Sequence, residues 1–248
     1  MCDESFFFTG RRLSSGFERN SAGFDDDRLI MRHSLQVEGF GVRLRPVRME
    51  DATFIVWLRN LDHVKGRVGD SEVNVPGQQA WLKNYFERAG DYYFIVETLG
   101  GIPVGTHGIY DVQGTSAEKG RHIVRPEAMA GVPAALLAAD LGFTRLGLTE
   151  FRATCVATNV PVVSLHRRSG FKQVGTLRDA QTINGRPVDL VQFILTPEAW
   201  AGVRDTLVPL ATLAGGRVVE WEETQVVGNQ PWIEPQTTKP ASAGLDKI

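Results

Sequence analysis

Apolar and polar residues alternate from Val37 to Arg45, where Val42, Leu44 and Pro46 are spaced by Arg43 and Arg45, and this two-residue period predicts a strand. The spacing then turns helical. Phe54, Ile55, Trp57 and Leu58 fall on one side of a helix within 51–60, and Ala80, Trp81, Tyr85 and Phe86 do so within 76–88. Three strands follow, at 92–97, 103–110 and 118–124, the first two joined by Leu99-Gly100-Gly101. An Ala- and Leu-rich helix is predicted from Pro133 to Leu146, a strand over 151–157, and a short helix after Asn159-Val160-Pro161 that ends near Ser169. Strands 172–182 and 188–195 meet at Asn184-Gly185, a strong hairpin signal. The order β, α, α, β, β, β, α, β, α, β, β predicts one mixed α/β domain. Beyond Pro197, Trp200, Val203, Leu207, Leu210 and Leu213 predict another helix that stops at Gly215-Gly216, with a hairpin-like segment over 217–227.

Composition narrows the chemistry. Twenty-seven Lys and Arg against 29 Asp and Glu leave a formal charge of -2, so no global field draws the protein to nucleic acid or to an anionic membrane. Cys2 and Cys155, the two cysteines, provide neither a disulfide framework nor a cysteine-rich metal site. Phe6–Phe8 is too short for a signal core, and no apolar run approaches the roughly 20 residues of a membrane span, so a cytoplasmic protein is expected. Polar residues 1–39 read as a loosely ordered arm, with Met31 as an alternative start, and the Pro-, Thr- and Ser-containing residues 229–248 as a flexible tail.

Phosphate-loop, zinc-protease and serine-hydrolase motifs are absent. Histidines 33, 63, 107, 122 and 166 lack metal-ligand spacing, so no metal is expected. Between the third meander strand and the following helix lies Arg125–Pro133, where free N–H groups at a helix start form an anion cradle, or where Gly131 simply turns the chain. Further on, Asn159 stands after a strand and Gly170-Phe171 before the next, twelve residues from Asn to Phe.

This ordered set, from about Val42 to Trp200, resembles the GCN5-related N-acetyltransferase (GNAT) superfamily. The resemblance implies a mixed, mostly antiparallel central sheet flanked by helices: an acetyltransferase domain over 40–200 with extensions at 1–39, 201–228 and 229–248. It implies acetyl-CoA as cofactor. Its pyrophosphate would be met around Val124, Arg125, Met129, Ala130, Gly131, Val132 and Ala134, with Arg168 near the phosphates, and its pantetheine arm by Asn159 and Ser164. A backbone N–H near Ile123 would hold the thioester oxygen. Trp57-Leu58-Arg59-Asn60, Trp81, Gly175–Arg178, Asp189 and Phe193 are closest to the branch that contains ribosomal-protein alanine acetyltransferases and nucleotide-amino-sugar N-acetyltransferases. Two positions depart from the family pattern. Pro133 removes an N–H from the phosphate loop, and His166 stands where many members carry a tyrosine acid.

Acetyl transfer to an amine assigns His166 as acid toward the departing thiol, and Glu118 or His122 as base, both placed on one strand face by the two-residue period with Gly120 and Val124. His107 is a weaker base candidate, and a water chain is the alternative to all three. Trp57, Arg59, Asn60 and Trp81 form the expected acceptor floor, unless the helix face carrying Arg59 and Asn60 is simply solvated. The expected substrate is a small polar amine, above all the amino group of a nucleotide-linked sugar. The alternatives are a protein N-terminus or a catalytically silent acyl-CoA-binding module, and the 201–228 extension suits a homodimer.

Overall fold

The computed structural model describes residues 33–64, 74–183 and 185–227. Residues 1–32 of the expected arm, Asn184 of the expected turn and the tail from 228 on lie outside them.

A two-residue turn at Phe40-Gly41, both at positive φ, joins β1 (Val37–Gly39) to β2 (Val42–Pro46). Helices α1 (Ala52–Arg59) and α2 (Val75–Phe86) follow. Asn74 caps α2 by accepting from the Gly77 N–H at 2.8 Å. The meander β3 (Tyr92–Thr98), β4 (Pro103–Gln113) and β5 (Ser116–Val124) leads into α3 (Gly131–Thr144), β6 (Glu150–Val156), α4 (Val160–Arg168), β7 (Lys172–Ile183), β8 (Arg186–Leu195) and α5 (Pro197–Val227). These strands form one sheet in the order β1-β2-β3-β4-β5-β6-β8-β7. β5 and β6 pair in parallel, across the α3 connection, while every other neighbouring pair is antiparallel.

Both sheet faces are covered. Phe94 and Val96 of β3 pack with Leu44, Leu136, Leu141, Phe151 and Phe193 on the α3 and α5 face. Tyr93 and Ile95, one residue out of phase, pack with Ile55, Leu58, Leu82 and Tyr85 on the α1 and α2 face. Burial on both sides explains why β3 reads as a continuous apolar run rather than an alternation.

The C-terminal segment differs from its expectation. Gly215-Gly216 does not end a helix, and no hairpin follows: α5 runs unbroken to Val227. Gly215 is there for close approach, because a Cβ on it would lie 2.4 Å from the Phe40 carbonyl oxygen, and one on Gly41 would lie 2.6 Å from that of Gly215. The missing side chain lets α5 lie on the β1–β2 turn. Asp140 of α3 ties α5 down further, accepting from Trp200 Nε1 at 2.9 Å and from Arg204 Nε and Nη2, each at 2.8 Å.

Candidate active site

The parallel pairing of β5 and β6 covers Ser116↔Glu150, Ala117↔Phe151 and Glu118↔Arg152. Beyond those rungs both strands continue, β5 to Val124 and β6 to Val156, without pairing to each other. β4 still pairs with the other edge of β5, and β8 with the other edge of β6. The gap therefore opens two strand edges to a ligand, and a cavity of about 790 Å³ runs through it. Its walls include β5 from Glu118 to Ile123, Thr154–Val156 of β6, and Asn159, Leu165 and His166 at and along α4.

A bulge in β5 decides which side chains meet. Thr106↔Ile123 is followed by Gly108↔Gly120, three steps on β5 against two on β4, with Arg121 at φ 50°. Ala117 and Val124 consequently pack on the α3 face, and Ile123 on the α1 and α2 face. The expected common face for Glu118, Gly120, His122 and Val124 is thus broken between Gly120 and His122. His122 turns toward α3, its Nε2 lying 3.9 Å from where a Gly131 Cβ would be. Glu118 stays on the other face.

On the α1 and α2 side, Arg121 reaches Asp91 by two hydrogen bonds, 2.5 and 3.0 Å, and its guanidinium lies 4.1 Å from the Tyr110 ring centroid, 5.1 Å from that of Trp81 and 5.3 Å from that of Tyr93. Arg88 lies 5.5 Å from the same Trp81 ring. Arg59 lines this wall, and its Nε is buried without a hydrogen-bond partner among the described residues. Burial pushes the Glu118 carboxyl upward, opposed by a hydrogen bond with Thr154.

On the α3 and α4 side, Nδ1 of His107 and Nδ1 of His122 are 2.8 Å apart, so one of these nitrogens donates and the other accepts. Burial drives His107 well below the ordinary imidazole value and takes His122 to about 3. His166 packs edge-on against Phe171 and tilted against Phe193, and is lowered to about 4 by burial and then by Lys119. It is an uncharged N–H donor at neutral pH, not an imidazolium.

Of the expected residues, His166, Glu118, His122, Ile123, Asn159, Arg59 and Trp81 line the cavity. Val124, Arg125, Met129, Ala130, Gly131, Val132 and Ala134 form the strand-to-helix turn beside it, and Ser164 and Arg168 sit elsewhere on α4. Trp57 and Asn60 do not line it. Trp57 instead stacks on the Arg125 guanidinium at 4.9 Å, with Trp221 of α5 on that guanidinium at 5.0 Å and Glu127 paired to it at 2.7 Å, so Arg125 is engaged as a clasp between α1 and α5. Asn60 ends α1 as its C-cap. Lys119, Arg121, Tyr110 and Cys155 line the cavity and were not expected there. Their positions depend on the bulge and on which helices cover each face, signals a strand period does not carry.

A long thioester cofactor fits this gap. The α3 helix begins at Gly131, so the N–H groups of Gly131 and Val132 have no carbonyl four residues back within it. Pro133 has no N–H, and that of Ala134 is bonded to the Ala130 carbonyl at 3.0 Å. Asn159 Oδ1 is buried and without a hydrogen-bond partner at the head of α4, across the gap.

Comparisons with known proteins agree with this geometry. A family model described as an acetyltransferase (GNAT) domain matches residues 42–172. An uncharacterized N-acetyltransferase, p20 of Bacillus licheniformis, is 35% identical over 63 residues, which is 25% of this chain and 35% of that protein's length. The fold is similar to that of FdhC, a nucleotide-linked sugar GNAT, with a TM-score of 0.59 and 24% identity over 73% of this chain and 98% of that one. It is equally similar to RimJ of Mycobacterium smegmatis, solved with CoA-disulfide, at a TM-score of 0.59 and 23% identity over 77% of this chain and 96% of that one.

Proposed function

Because the chain belongs to the GNAT acetyltransferase family, we propose that it moves an acetyl group from acetyl-CoA to the amine of an anionic small molecule, specifically a nucleotide-linked amino sugar. The observation that carries this choice of acceptor is the basic, aromatic wall of Arg59, Arg88 and Trp81, with Arg121, its charge already paired to Asp91, backing the Trp81 ring. Guanidinium groups take phosphate oxygens in two-point hydrogen bonds, and an indole face takes a base or sugar ring. Glu118 is the one acidic side chain among the described residues lining the cavity, which disfavours a polycation or a basic peptide as acceptor.

Acetyl-CoA supplies the activated thioester. The N–H groups of Gly131 and Val132 would hold its phosphates, and Asn159 its amide arm. Glu118 faces the acceptor side, and its upward shift suits it to take the proton that an amine sheds on becoming an amide. The Arg125 N–H bonds the Val104 carbonyl of β4 at 2.8 Å, so by alternation the Ile123 N–H also faces β4, and the Val124 N–H, on the gap edge of β5, is the donor for the carbonyl oxygen in place of the expected Ile123. His166 donates an N–H on the opposite side. The two cysteines and the absence of a long apolar segment fit a cytoplasmic location as part of this reading.

The test is thiol release from acetyl-CoA, with product mass, across UDP- and dTDP-linked amino sugars, N-terminal peptides and spermidine. A sugar nucleotide gaining one acetyl group is the expected result. Peptide or spermidine acetylation alone would replace the acceptor, and CoA binding without any transfer would leave a silent binding module.

A further inference from the structure

Adjacent strand residues point to opposite faces, so Lys119 extends away from Glu118 to the α3 and α4 side, immediately past the last β5–β6 rung. It is 7% exposed and lines the cavity. Nζ donates to the Ala135 carbonyl of α3 at 3.0 Å and lies 5.7 and 6.0 Å from the ring centroids of Phe171 and Phe151. His166 packs on the same Phe171 ring. Aromatic faces and a carbonyl hold an ammonium in place without neutralising it.

From this placement, and resting on the reading of acetyl-CoA as cofactor, we infer that Lys119 supplies the positive charge, and finally the proton, that the CoA sulfur needs when its bond to the acetyl group breaks. In the balanced step the carbon–sulfur bond breaks as carbon–nitrogen forms. Glu118 takes the amine proton on one side of the strand, and Lys119 gives a proton to sulfur on the other.

The groups around Lys119 leave this task to it. His166 of α4, His122 of β5 and His107 of β4 are all lowered by burial and by Lys119 itself, and so are uncharged at neutral pH. Cys155 of β6 is raised by burial, and Asp140 of α3 acts on Lys119 as the one upward influence. Burial brings Lys119 down to about 8, close to the roughly 8.5 of a free thiol, the match that proton transfer favours.

The test titrates the thiol of bound CoA by thiolate absorbance, with no acceptor present, in the wild type, Lys119→Met and Lys119→Arg, with affinity from calorimetry and folding from thermal melts. In the wild type the bound thiol should titrate about one unit lower than free CoA, a tenfold larger thiolate fraction at a fixed pH below the transition. Lys119→Arg should retain most of the shift, and Lys119→Met should abolish it while still binding CoA. A wild-type thiol that titrates like free CoA overturns the inference even if Lys119→Met fails to fold, and so does a shift that survives in Lys119→Met. Failure of the wild type to bind CoA overturns the cofactor reading and this assignment with it. If sugar nucleotides are not acetylated but the thiol shift is present, the acceptor reading falls and Lys119 keeps its role.

Discussion

Asp140→Ala should loosen α5 from α3 without touching the cavity walls, and its size can be worked from the contacts. Trp200 is 5% exposed and gives its indole N–H to Asp140. A buried donor left without a partner costs about 1–3 kcal/mol. The Arg204 side chain is 39% exposed, so its two-point pair with Asp140 is screened and adds about 0–1 kcal/mol. The sum is about 1–4 kcal/mol, which at about 2–4 °C per kcal/mol for a domain of this size lowers the melting temperature by about 2–16 °C. Asp140→Asn keeps an acceptor for Trp200 and should lose about 1 kcal/mol, or about 2–4 °C, as should Arg204→Met. Thermal melts at pH 7 in 0.15 M salt measure all three. If Asp140→Asn falls as far as Asp140→Ala, charge rather than the indole hydrogen bond holds the helix; if Asp140→Ala melts within a degree of the wild type, the anchoring argument is wrong.

Three further outcomes are expected. Glu118→Gln should cut turnover by about a hundredfold or more with CoA affinity unchanged. Glu118 works as its carboxylate and its pKa is raised, so wild-type turnover declines as pH falls through that raised value, and pH–rate profiles of Glu118→Gln should lack this acid limb. Arg59→Met should raise KM for a phosphorylated acceptor by about tenfold and leave KM for acetyl-CoA alone, in steady-state kinetics at constant ionic strength. Gly142→Ala would put a Cβ 2.1 Å from Cζ of Phe151, a buried ring with little room to retreat, so a loss of about 1–3 kcal/mol should appear in denaturant unfolding.

The fold was legible because its elements carry clean periods. α1 and α2 show helical spacing, β2 alternates, and the Gly170-Phe171 break before β7 is local. The limits were geometric. Gly215-Gly216 has the chemistry of a helix end, and only the closeness of the Phe40 turn shows that the first of the pair is a packing glycine. Glu118 and His122 obey a common period on paper, yet one extra residue at Arg121 sends them to opposite faces. Lys119 lies among Glu118, Gly120 and Arg121, surroundings that look solvated in sequence, and its burial comes from Phe151, Phe171 and α3, all distant along the chain. Trp57 and Arg59 stand two apart on α1 and face different neighbours, so the tryptophan supports the Arg125 clasp while the arginine reaches the cavity.

The three parallel rungs between β5 and β6 also bear on how the chain finds its fold. β3, β4 and β5 join through short turns, as do β7 and β8, so each group closes contacts that are near in sequence and form early at small entropic cost. Ser116–Glu118 can meet Glu150–Arg152 only after the whole of α3 has crossed between them, a longer loop closure repaid by few hydrogen bonds. Loop-closure entropy therefore predicts that this junction pairs after the β3–β5 and β7–β8 groups. The gap lies at this seam, and α5, bound to α3 through Asp140 and to β3 through the Thr98–Glu222 hydrogen bond of 2.5 Å, straps the α3 side of the seam to the meander.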